Sequence, residues 1–112
     1  MVKVQYIYVI TDKDDLFIEI EEKGANTYYS TIYKLKKGII ISNNSSSATD
    51  AFLKAIQSIY TNFNITEIRN DNTQEIITSC QQQKIINSLN ISCSFSSENG
   101  PGSFPLHKHV LS

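Results

Sequence analysis

Apolar positions recur at helical spacing through the middle of this chain and at strand-like spacing on either side. Across residues 47–63, Ala48, Ala51, Phe52, Ala55, Ile56, Ile59, Tyr60 and Phe63 follow the i, i+3, i+4, i+7 rule of one helix face. Ser47 is placed to cap that helix, and Asp50, three residues on, sets a carboxylate at its positive end. Asn62 to Asn64 stop it. A helix of this length is marginal alone, so its apolar stripe must cover something.

The flanking segments supply a sheet. Val4, Tyr6, Ile7, Tyr8, Val9 and Ile10 form a dense β-branched and aromatic run, which predicts a central strand from Val2 to Thr11. Leu16 to Glu22 alternates, with Leu16, Ile18 and Ile20 opposite Glu19 and Glu21, as a half-exposed strand does. Thr27 to Leu35 is a third strand, and Ile39–Ile41 extends it or adds a short one before a polar loop at 43–47. After the helix, Ile65 to Asn70 reads as a buried strand. A second helix is predicted over about Thr73–Leu89. Its apolar residues change sides near Gln81-Gln82-Gln83, which suggests a kink or one surplus residue there. Ile91 to Phe95 is a short last strand.

The expected fold is therefore α/β: a mixed sheet of three antiparallel strands followed by helix, strand, helix and a last short strand. One domain spans 1–95. The Ser, Asn, Gly and Pro content after it predicts a flexible C-terminal tail at 96–112.

Composition changes this picture little. The 112 residues are 40% hydrophobic and 19% charged, with a net charge of −1, so one modest core is affordable and no basic field advertises nucleic acid. No apolar run reaches the ~20 residues of a membrane span, and the N-terminus lacks a signal-peptide pattern. Cys80 and Cys93 have neither zinc-site nor disulfide-framework spacing, so free thiols in an intracellular protein are expected, nuclear or cytoplasmic. A homodimer is compatible with all of this.

Candidate chemistry lies at the ends of the two most apolar strands, at Asp12 and Asp71. If these strands are neighbours and end together, two carboxylates meet where a hard cation such as Mg²⁺ or Mn²⁺ can bind, and a metal pair can clamp a phosphodiester. Lys36, Lys37, Arg69 and Lys84 are weaker candidates for phosphate contact. Tyr28, Tyr29 and Tyr33 could stack on bases or pack on the sheet.

The words around these aspartates resemble a known family. Tyr6-Ile7-Tyr8-Val9-Ile10-Thr11-Asp12 is similar to the first strand of the retroviral and retrotransposon integrase core. Ile68-Arg69-Asn70-Asp71-Asn72-Thr73-Gln74-Glu75-Ile76 resembles that family's second motif, and Asn90 to Ser97 its following serine-rich segment. The resemblance implies a ribonuclease H-like fold, with Asp12 and Asp71 as two of three catalytic, metal-binding acids in DNA strand transfer. It also shows departures. Thr73 stands where the family has glycine, and Ser103 or Phe104 stands where the third acid should follow Asn99-Gly100. Glu98 lies just before that pair. In the sister ribonuclease H family an acid points inward from the first helix. Here Asp50 falls about 170° from the centre of the apolar face.

The resemblance thus leads to a truncated, catalytically incomplete integrase-like core that acts on nucleic acid. Two alternatives stay open. One is a small ribonuclease H-like nuclease that cleaves RNA–DNA hybrids using Asp50 or Glu98. The other is a non-catalytic nucleic-acid-binding or oligomerisation module.

Overall fold

A computed structural model describes residues 2–34, 38–71 and 74–96. The chain runs β1 (Lys3–Thr11), β2 (Asp15–Gly24), β3 (Thr27–Lys34), β4 (Gly38–Ser45), α1 (Ala48–Asn62), β5 (Ile65–Asn70), α2 (Ser79–Ser88) and β6 (Ser94–Ser96). The strands form one mixed sheet in the order β4-β3-β2-β1-β5-β6. The expected α/β architecture is present, with the central strand where its apolar run placed it. Of the expected flexible tail at 96–112, Ser96 instead belongs to β6, and 97–112 lie outside the described residues.

The first four strands form an antiparallel meander. Thr11 closes the first turn: its Oγ1 donates to the Asp14 carbonyl at 2.7 Å and accepts the Asp14 amide at 2.9 Å. Ala25-Asn26 closes the second, with Asn26 at φ 57°, a left-handed conformation that asparagine tolerates better than most residues. The fourth strand is a correction to the predicted order. Where the sequence suggested a brief extension and a polar loop, an eight-residue edge strand pairs with β3 from Lys34↔Gly38 to Tyr28↔Ser45. Its second half, Ser42 to Ser45, is polar at every position, with Ser42 and Asn44 exposed, so it shows no apolar alternation to read.

That strand reverses the geometry of everything after it. Each hairpin turns the chain around, and a helix carries it back across the sheet. Three strands and a helix would deliver the next strand parallel to β1. Four deliver it antiparallel, and β5 pairs with β1 in that sense, Ile7↔Asn70 to Ile10↔Glu67. β6 then lies parallel to β5 after the α2 crossover.

Both helices pack on one face of the sheet. Ser47 caps α1 by accepting the Asp50 amide at 3.1 Å. Ala51, Phe52, Ala55, Ile56 and Ile59 are buried against Ile7, Val9, Leu16, Ile18, Ile20, Ile32 and Ile68. The helix ends at Phe63, whose amide bonds back to the Ile59 carbonyl. Asp50 points away from the core and pairs with Lys54 at 3.3 Å, as its angular position on the helix predicts.

The second helix is shorter than predicted and runs without interruption through Gln81, Gln82 and Gln83. It starts at Ser79, behind a capping box in which Thr78 Oγ1 accepts the Gln81 amide at 3.1 Å and Gln81 Oε1 accepts the Thr78 amide at 2.9 Å. Ile76 and Ile77 precede it in an irregular segment. The apparent change of face arises because Gln82, a polar residue, points inward. Gln5, Asn70 and Gln82 are each 0% exposed. Gln5 Oε1 accepts the amides of Ile76 and Ile77 at 2.9 and 2.8 Å. Gln5 and Gln82 both donate to Asn70 Oδ1 and to the Ile77 carbonyl. This network satisfies the amides of Ile76 and Ile77 and the carbonyl of buried Ile77, just before α2 begins.

Thr78→Ala removes one half of the capping box. It should lower stability by about 0.5–2 kcal/mol in urea denaturation. No measurable change would mean that the glutamine network alone sets the start of α2.

Candidate functional site

The structure makes β1 and β5 neighbours, as expected, but does not bring Asp12 and Asp71 together. Aspartates that end two adjacent strands meet only when the strands run parallel, and these run antiparallel. The Asp12 amide bonds to the Asn64 carbonyl, at the start of β5. The Asp71 amide bonds to the Tyr6 carbonyl, well back along β1. At ~3.3 Å per residue the two lie roughly 20 Å apart, too far to share a cation or a metal pair. Asp12 instead holds the junction between α1 and β5, where its carboxylate accepts the Asn64 amide at 3.1 Å and the Asn64 side-chain amide at 3.2 Å. Among the described residues, no three His, Cys, Asp or Glu side chains converge as a metal site.

Of the basic candidates, Arg69 lies on β5 and Lys84 on α2. Arg69 lies with its guanidinium 5.1 Å from the Tyr8 ring centroid and 3.6 Å from Glu67. Lys84 is exposed on α2. Lys36, Lys37, Glu98, Ser103 and Phe104 lie outside the described residues. Cys80 and Cys93 are free, and burial pushes the Cys93 thiol up. An apolar groove of about 250 Å³ between the end of α1 and the β2–β4 strands is lined by Leu16, Ile32, Ile41, Ile59 and Phe63. Its lining holds no charged group.

The functional groups that do converge are on the helix-free face of the sheet. Cross-strand partners share a face, so the pairs Tyr6↔Glu19, Tyr8↔Phe17, Phe17↔Tyr33 and Glu21↔Tyr29 place aromatic and acidic side chains side by side over β1, β2 and β3. Tyr6 stacks on Phe17 at 5.5 Å between centroids, and Phe17 meets Tyr33 edge-on at 6.2 Å. Both tyrosine hydroxyls donate to one carboxylate, Tyr6 to Glu19 Oε2 at 3.1 Å and Tyr33 to Glu19 Oε1 at 2.9 Å. Burial and Glu19 together push the Tyr33 phenol up to about 12 and raise that of Tyr6. These hydroxyls therefore remain donors at any physiological pH. Tyr8, 1% exposed, donates to Asp15 Oδ2 at 3.1 Å.

On β5, Glu67 lies opposite Ile10 and Arg69 opposite Tyr8, so both belong to this face, with Asp71 beyond them. Both Asp71 carboxylate oxygens are buried without a hydrogen-bond partner. Burial pushes this acid up to about 7; Arg69 partly opposes the shift and Glu67 adds to it. Asp71 is thus a half-buried acid on the sheet face, flanked by Arg69 and Glu67 and far from Asp12.

The sequence already spaced these side chains at every second residue of three strands. Their common face emerges only once the register is known, because a shift of one residue turns any strand over. Tyr29 and Tyr33 join the helix-free face, while Tyr28 packs against the core on the other side. No helix among the described residues is long and apolar enough to cross a membrane. Compared with protein-family models, curated proteins and solved structures, the chain finds no match.

Proposed function

We propose that this chain is a non-catalytic interaction module that works through the helix-free face of its sheet. The observation that carries this reading is the organised array there: three aromatic rings in contact, locked by two hydroxyls on the Glu19 carboxylate. Rings fixed in this way offer contact area at little further cost in conformational entropy. The interleaved carboxylates repel phosphate, so the array favours a protein surface over nucleic acid as its ligand.

The integrase-like and ribonuclease H-like readings both require acids that converge on a metal pair. The antiparallel pairing of β1 with β5 supports the non-catalytic alternative against both. The test has two arms. Purified protein incubated in Mn²⁺ with labelled DNA ends and with an RNA–DNA hybrid should neither join nor cleave. Turnover that disappears in Asp12→Asn would overturn the reading. In the second arm, an array of short peptides of varied charge is probed with the full chain and with its Tyr33→Leu variant. Capture that depends on Tyr33 supports the module, and capture indifferent to it removes the face from consideration.

A further inference from the structure

We propose that the helix-free face receives a lysine- or arginine-bearing segment of another protein and seats its cationic side chain against the tyrosine rings, between Glu19 and Glu21. This rests on the reading above and names its partner class.

The face already performs this recognition on its own side chains. Lys23 Nζ lies 4.9 Å from the Tyr29 ring centroid, and the Arg69 guanidinium lies 5.1 Å from that of Tyr8. Both are within the range where a ring's negative face attracts a cation. The strip formed by Tyr6, Phe17 and Tyr33 repeats that chemistry on β1–β3. Here the two tyrosine hydroxyls point at Glu19 and fix the rings. Glu19 spends one lone pair per oxygen on these hydroxyls, and a carboxylate has capacity for further donors. Glu21, two residues along the same face, has a side chain 29% exposed and only a long contact to Lys23 at 4.0 Å.

Charge decides the sign of the ligand. Asp15, Glu19, Glu21, Glu67 and Asp71 share the face with Arg69, and Lys23 leans over it. Among the described residues, carboxylates outnumber cations even with Asp71 protonated. A phosphate backbone or an acidic peptide would meet repulsion. An ammonium or guanidinium would find a carboxylate and an aromatic face together, and burial of the pair strengthens both attractions. Hydroxyls held as donors to Glu19 also discourage stacked bases, because they leave the acid between the rings.

The experiment is fluorescence anisotropy of the full chain with three labelled probes: a Lys/Arg-rich peptide, the same peptide with Gln at every basic position, and a single-stranded oligonucleotide. The cationic peptide should bind saturably and less tightly as salt is raised. Glu21→Lys should weaken that binding about tenfold. Glu21→Gln should weaken it by less, and both variants should melt like the parent, since Glu21 is at the surface. Equal affinity for the Gln peptide, lost in Tyr33→Leu, would keep the interaction module and overturn its cationic partner. Preference for the oligonucleotide, or indifference to Glu21→Lys, would overturn the inference outright. So would silence from every probe. Silence accompanied by concentration-dependent sedimentation would give the face to a second copy. Silence that ends with Lys108→Glu would give it to the chain's own 97–112 segment.

Discussion

Phe52→Ala should destabilise the fold by about 3–5 kcal/mol. Phe52 is 0% exposed, on the α1 face that also carries Ala51, Ala55, Ile56 and Ile59. Its neighbours on that face are small or branched, so the ring supplies much of the bulk that fills the space between helix and sheet. Truncation loses the transfer free energy of the ring and leaves a cavity that two packed layers cannot collapse around. The helix cannot compensate by itself, because fifteen residues are marginal in isolation. A domain of this size has about 5–15 kcal/mol in total, so the variant should sit close to the edge of folding at 37 °C. Urea denaturation measures it, as a shift in midpoint at unchanged slope. A loss below about 1 kcal/mol would mean that α1 buries a different face.

The extent of α1 was legible because its stripe is wide, capped and uninterrupted; the five buried residues all lie on the face the periodicity selects, although Tyr60, selected with them, is exposed near the helix end. The strands β1, β2, β3 and β5 were legible for the same reason, each with a clear apolar face or centre. Two features were hidden, and each has a physical cause. The β4 strand lies at the sheet margin, where Ser42 to Ser45 satisfies its backbone on one side and faces water on the other. Such a strand has no hydrophobic requirement to display. The start of α2 was hidden because its interior position holds Gln82, whose amide serves Asn70 and the Ile77 carbonyl. A buried polar network inverts the pattern that marks an inward face. The placement of Asp12 and Asp71 failed for a third reason. Alternation says which side chains are buried, but it is unchanged when a strand is reversed end for end. Direction is set by the number of crossings before the strand, so missing one edge strand moved the two aspartates to opposite ends of a correctly paired β1 and β5. Local resemblance around Asp71 carried no information about that parity.

Asp71→Asn should stabilise the protein at pH 8, the reverse of what loss of a metal ligand would do in the presence of a cation. The buried carboxylate has an acid strength near 7 in the folded state against an ordinary 3.8. Its main cause is burial of two oxygens that accept no hydrogen bond. Arg69, the facing cation, lessens the shift, and Glu67, on the same strand and face, adds to it; Tyr8 lies beneath Arg69 and its hydroxyl is committed to Asp15. The sign follows from proton uptake. Between 3.8 and about 7 the folded state keeps a proton that the unfolded chain has lost, so stability falls as pH rises through that window. Above it the full penalty of a buried charge is present, and below it there is none. Because the residue is only half-buried, water screens part of the effect, and about 1–3 kcal/mol is the expected gain for Asn at pH 8. The gain should shrink on acidification and disappear near pH 4, where the protonated acid and the amide are both neutral. Urea midpoints of the two proteins across that range measure it directly. An Asn variant less stable than the parent at pH 8 would show that attraction to Arg69 outweighs desolvation, and that Asp71 is ionised in the folded protein. Glu67→Gln removes the smallest of the three influences, so the Asp71 pKa should fall slightly and the pH dependence of stability in that variant should begin to flatten at slightly lower pH.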